Sequence, residues 1–186
     1  AQYSGEFKTS QYDLAAEQLK RWREWETFTE DNIARMQEVE LTAELTITIH
    51  EKKILGKSTA LIASQYKKYE EKYSNRTEIE KRFRVTMDFI SHNFPGNKND
   101  FVFFKKTIFY TFFVTCYDLL FNLKTPTSIR ATAKKVQQMT INNLKVKGDR
   151  IRERTAPKNV LEATDRRTTN PKERNILFKY LKSSNA

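Results

Sequence analysis

The chain is poor in residues that interrupt helices and in residues that build metal or redox sites. Its 186 residues include only 4 Gly, 4 Pro, 2 His and 1 Cys. So few Gly and Pro argue against a strand-and-turn architecture and for long helices with few breaks. A single cysteine excludes an internal disulfide, and Cys116 sits in an apolar run, which reads as an inert buried thiol in a reducing compartment. His50 and His92 are isolated, so zinc or di-iron spacing is missing. The glycines are also isolated, which removes phosphate-cradling glycine loops, and no Ser stands in a nucleophile-elbow pattern. No catalytic residue, metal or cofactor is therefore expected in this chain.

Long lipid-compatible runs are scarce too. Thr107 to Leu123 is the one candidate, but Asp118 interrupts it and Lys105 and Lys106 precede it. It reads as a buried core helix, and no apolar leader stretch opens the chain. The expectation is a soluble, cytoplasmic protein with no membrane partner.

Acidic residues are what the final part lacks. Residues 1–100 hold 16 Lys+Arg against 17 Asp+Glu, whereas residues 101–186 hold 18 against 6. A neutral body with a basic final third suits a polyanion, and nucleic acid is the commonest one. The alternative is a solvated basic surface that serves solubility.

What is abundant is aromatic: 13 Phe, 8 Tyr and 2 Trp. Residues 11–26 predict a short helix with Tyr12, Leu14, Leu19, Trp22 and Trp25. Thr27-Phe-Thr-Glu30 has capping-box spacing and opens a long helix to about Lys53. Its Leu45–Ile49 stretch alternates like a strand, yet has no pairing partner and is assigned to the helix. Ser58 to Tyr73 predicts a third helix, and Asn75-Arg-Thr-Glu78 caps a fourth, which Pro95-Gly96 stops. Phe101 to Leu123, apolar on nearly every face, predicts the central helix. Thr125-Pro126 opens a sixth helix, ending near Gly148, and an irregular polar stretch follows to Pro157. A short helix at 159–164 and a last one after Asn170-Pro complete the chain. The expected fold is a single all-α bundle of seven or eight helices, with body 1–123 and a basic extension 124–186 packed on the same domain.

The candidate nucleic-acid contacts are Lys134, Lys135, Lys145, Lys147, Arg150, Arg152, Arg154, Arg166, Arg167 and Arg174. Such cations neutralise phosphates with little sequence readout. The sharpest local pattern is Asp165-Arg-Arg-Thr-Thr-Asn170-Pro, where Arg166, Arg167, Thr168, Thr169 and Asn170 precede a helix start. Free amides and the helix dipole favour an anion there, with Arg174 one turn in. The competing reading is that the threonines and Asn170 only cap, while the arginines pair with carboxylates. Glu40 and Glu44 share one helical face without a Glu-x-x-His partner, so an ion pair suits them better than a metal. Arg84 and His92 lie too far apart for the Arg–His motif of small helical ribonucleases.

Several stretches resemble the second half of GmrSD-type restriction proteins. They are Tyr3-Ser-Gly-Glu-Phe7, Ile33-Ala-Arg-Met-Gln-Glu-Val-Glu-Leu41, Tyr66 to Tyr73 leading into Arg82-Phe-Arg84, Lys105 to Leu120, and Arg166-Arg-Thr-Thr-Asn170. In that family a ParB/sulfiredoxin-like N-terminal domain carries an Asp-Gly-Gln-Gln-Arg nucleotide-processing motif and precedes a helical domain. Some members add an HNH nuclease. Neither motif occurs here, so the resemblance implies a fragment whose nucleotide chemistry lies upstream in a restriction NTPase or nuclease. The implied function is a non-catalytic helical domain of a bacterial anti-phage protein. It would grip DNA backbone and couple to the ParB-like domain, with homo-oligomerisation left open. The alternative is a protein–protein module that docks a partner domain or subunit through Tyr12, Trp22 and Trp25. An autonomous ribonuclease rests on basicity alone.

Overall fold

The computed structural model describes residues 5–126 and 134–184, the side chains of 134–137 apart. Among these residues every regular element is helical. The order is α1 (Glu6–Glu17), α2 (Leu19–Glu24), α3 (Glu30–Ala34), α4 (Gln37–Glu51), α5 (Thr59–Lys68) and α6 (Arg76–Asn93), then a 3₁₀ turn (Val102–Phe104). α7 (Lys106–Phe121), α8 (Lys134–Arg152), α9 (Lys158–Asp165) and α10 (Pro171–Lys182) follow. The all-α class matches expectation, with more and shorter helices than seven or eight.

α7 is the centre. Thirteen of its sixteen residues are buried, which only a helix wrapped on all sides tolerates. α4, α6, α9 and α10 pack against it. Aromatic rings fill the space around it: Phe103 stacks on Phe112 at 4.3 Å, Trp25 on Phe104 at 4.8 Å, and Trp22 meets Phe109 edge-on at 5.0 Å. Offset and edge-to-face rings add roughly 0.5–1.5 kcal/mol per pair beyond the area they bury. The Cys116 thiol is fully enclosed, and burial pushes it well above its ordinary pKa.

The long helix expected from Glu30 to Lys53 is broken in two. Met36 takes a left-handed conformation, φ 58°, between α3 and α4. The capping box is also displaced: Thr29, not Thr27, accepts from the Asn32 amide, and Asn32 answers to the Thr29 amide. Asn75 precedes α6 without a side-chain cap. The strand-like Leu45–Ile49 is helical, and its hydroxyls find partners. Thr46 donates to Gln11 Oε1 at 2.7 Å, and Thr48 meets the Tyr110 hydroxyl at 2.6 Å.

Gly148 does not end α8, which runs on to Arg152. Its role is close approach, because a Cβ there would lie 2.9 Å from the Phe103 ring. The sixth helix expected from Pro126 begins, in its described part, at Lys134; residues 127–133 lie outside the described residues. The last two helices fall where periodicity puts them. No helix among the described residues is long and apolar enough to cross a membrane.

Candidate functional site

The basic final third divides between the interior and the surface. Lys147 is fully buried, and its ammonium donates to the carbonyls of Leu181 and Ser183 and to the Ser183 hydroxyl. Lys147 therefore ties the end of α10 to α8, since the last carbonyls of a helix lack intrahelical donors. Burial pulls its pKa below the ordinary lysine value, and Arg150 adds to this.

Arg174 is 4% exposed and equally structural. Its guanidinium donates to Glu44 Oε2 at 2.7 Å, to the Leu55 carbonyl at 2.6 Å and to the Thr168 carbonyl at 3.3 Å. It also lies 3.5 Å above the Tyr110 ring. One side chain thus joins α4, the 52–58 loop, α7 and α10. Sequence reasoning assigned both residues to a nucleic-acid surface; burial removes them from it.

Other members are partly matched. Arg152 pairs with Asp149 at 2.6 Å and donates to the Asp100 carbonyl. Arg154 pairs with Asp165 at 2.8 Å. Lys145 leans over Phe94 and Phe101, and Arg150 lies exposed beside Tyr180. Lys134 and Lys135 open α8, and their side chains lie outside the described residues.

Arg166 and Arg167 are exposed in the turn between α9 and α10. Arg167 is left-handed, φ 52°, and its carbonyl accepts from the Asn170 amide at 2.8 Å. Asn170 precedes α10 without a side-chain cap, Pro171 supplying the first helical position. Thr168 and Thr169 face a different structure, described below. The proposed five-residue phosphate cradle is therefore split: the arginines face out, and the threonines line a cleft.

The exposed arginines have a neighbour that sequence analysis did not group with them. Asp165 is held below the usual carboxylate range first by its hydrogen bond with Arg154, with Lys105 and Arg166 adding to it. Arg154, just past α8, thus pairs with this carboxylate, and the charges of Lys105 before α7 and Arg166 after α9 also act on it. Two neighbouring segments around α9 and the distant Lys105 build this basic belt, and Arg167 adjoins it.

The cleft, of about 420 Å³, lies beside it between the start of α7, α4 and the turn before α10. Its walls include Arg35, Lys57, Lys106 and Arg174, with Glu40, Glu44, Thr107, Thr168 and Thr169. Lys57 pairs with Glu40 at 2.8 Å, and its amide donates to the Thr169 carbonyl at 2.9 Å. Gly56 lets this loop lie flat on α10, because a Cβ would come within 2.8 Å of Pro171. Glu40 and Glu44 are thus ion-paired with neighbouring segments. No group of three or more His, Cys, Asp or Glu among the described residues could hold a metal.

Two further expectations meet the coordinates. Trp22 is 0% and Trp25 3% exposed, so the tryptophans offered as a docking surface are core residues; Tyr12 alone of the three is exposed. Arg84 pairs with Glu17 and Glu80, while His92 stays on the surface.

Neither family models, nor curated proteins, nor solved structures give a match to this chain. The functional reading therefore stands on the residues themselves.

Proposed function

We propose that this chain is a non-catalytic helical domain that binds the nucleic-acid backbone. The observation that supports the reading most strongly is the run of exposed cations at the α9–α10 turn, where Arg166 and Arg167 stand beside the Arg154–Asp165 pair of 2.8 Å and Lys105 acts on the same carboxylate. Arg167 and Arg150 add exposed cations. Cations on rigid helix ends neutralise phosphates at fixed spacing and read no bases, so binding is salt-dependent and sequence-tolerant. The wider setting rests on the sequence resemblance alone: a cytoplasmic, GmrSD-like restriction protein in which this domain passes its DNA-bound state to a ParB-like nucleotide-processing domain.

The test is fluorescence anisotropy of a labelled duplex with 5′-hydroxyl ends, titrated with this chain at several salt concentrations. Affinity should fall steeply between 50 and 200 mM salt, by roughly 40-fold to 500-fold for three to five phosphate contacts. Two unrelated duplex sequences should bind alike. No binding at 50 mM, or binding indifferent to salt, overturns the proposal.

A further inference from the structure

The cleft holds more positive charge than its own carboxylates neutralise. Of its four cations, Arg174 is matched by Glu44 and Lys57 by Glu40. Lys106 donates to the uncharged Gln37 side chain at 2.8 Å, and the Arg35 guanidinium has no ion pair or side-chain hydrogen bond among the described residues. Two unmatched charges therefore face one cavity. The hydroxyl-bearing Thr107, Thr168 and Thr169 line it as well.

α7 sharpens the point. This sixteen-residue helix starts without a side-chain cap and without an acidic residue in its first turn. Instead Lys106 opens its first turn at the positive end of the dipole, where a cation is unfavourable unless an anion lies close by. The cavity has the size of a small-molecule site, larger than a bare oxyanion needs. Phe28 and Leu41 give it an apolar wall, while the Tyr110 face is already covered by Arg174.

We infer that this cleft binds a phosphomonoester carried on a nucleoside, with Arg35 and Lys106 supplying the two charges that match its dianion. The threonine hydroxyls donate to phosphate oxygens, and Phe28 and Leu41 contact the sugar or base. The chemistry has two sources, a free nucleoside 5′-monophosphate or the 5′-phosphorylated end of a strand. The site is separate from the belt of Lys105, Arg154 and Arg166 and does not depend on it for backbone binding.

Isothermal titration of this chain with AMP, adenosine and a 5′-phosphorylated or 5′-hydroxyl single-stranded 12-mer tests the inference. AMP should bind saturably and at least tenfold tighter than adenosine. The R35Q/K106Q double variant should abolish that preference with an unchanged melting temperature, because both side chains are exposed and neither forms an ion pair among the described residues. If the 5′-phosphorylated strand outbinds its hydroxyl counterpart and competes with AMP, strand ends are the source. If AMP alone binds, the source is free nucleotide. Equal or absent binding of AMP and adenosine, or a preference that survives R35Q/K106Q, overturns the inference. Either result leaves the hydroxyl-ended duplex titration unaffected, so the two proposals fail separately.

Discussion

Arg174 shows how a residue's charge can mislead when its partner is distant. From the sequence it is one more cation in a basic tail, one turn into a helix. In the fold it satisfies Glu44, 130 residues away, inside the bundle. No spacing rule connects two such positions, so the ion pair was not legible. Removing one member of a buried pair leaves the other charge without compensation, which costs about 3–5 kcal/mol. Arg174→Ala should lower stability by that amount in urea denaturation. The double change Glu44→Leu/Arg174→Met should recover most of it, since no buried charge then remains unpaired. A second residue-scale consequence concerns His50, whose ring nitrogen contacts the Tyr69 hydroxyl. Burial holds its pKa below 6.5, with Lys68 and Lys52 adding to the effect against Glu51. Below pH 6.5 and above that lowered value, the unfolded chain takes up a proton that the native chain refuses. Stability should therefore fall as pH drops through 6.5. The difference in urea midpoint between the native chain and His50→Asn, measured at pH 7.5 and 5.5, isolates this contribution from the carboxylates. A difference that stays constant with pH would contradict the assignment.

Helical elements were largely readable because period and composition agree over long stretches. The central helix announced itself by being apolar all round, and the last helix by Asn170-Pro171 and the apolar Ile176, Leu177, Tyr180 and Leu181. What failed were the junctions. Met36 adopts a left-handed conformation that its residue type does not favour, so the break between α3 and α4 has no local signal. In the sequence Gly148 reads as a helix stop, because glycine commonly ends helices. Here it is kept for contact with a ring that cannot retreat, since Phe103 is itself stacked on Phe112. Gly148→Ala gains helix propensity of roughly 1 kcal/mol. The clash with Phe103 should exceed it, in line with overpacking costs of about 1–3 kcal/mol. A lower melting temperature for Gly148→Ala than for the native chain is expected, and a rise would show that the ring yields.

At the scale of the molecule, the asymmetry of charge along the sequence survives folding only in part. Two of its ten named cations, Lys147 and Arg174, turn inward and fasten α10 to the bundle. Those that stay outside gain Lys105, a residue of the body, through the packing of α9 and α10 on α7. Thr168 and Thr169 of the α9–α10 turn, expected with Arg166 and Arg167 in a phosphate site, instead line a cleft whose other walls come from α4 and α7. That cleft could not be read from the chain, because Arg35, Lys57, Lys106 and Thr168 are brought together by tertiary structure alone. We propose that the outward-facing belt, and not net positive charge in general, contacts phosphates.

The most direct measurement is the slope of log binding constant against log salt for the native chain and for Lys105→Gln/Arg166→Gln/Arg167→Gln. Each phosphate contact contributes about 0.9 to that slope on duplex DNA, so the triple variant should lose roughly 2–3 units of steepness. A control with Lys8→Gln/Lys20→Gln/Lys81→Gln removes the same charge from the other helices of the body. It should leave the slope within about one unit of native, because general charge contributes little without phosphate contact. Equal losses in both triple variants would contradict the belt and reduce the basic final third to a non-specific cationic surface.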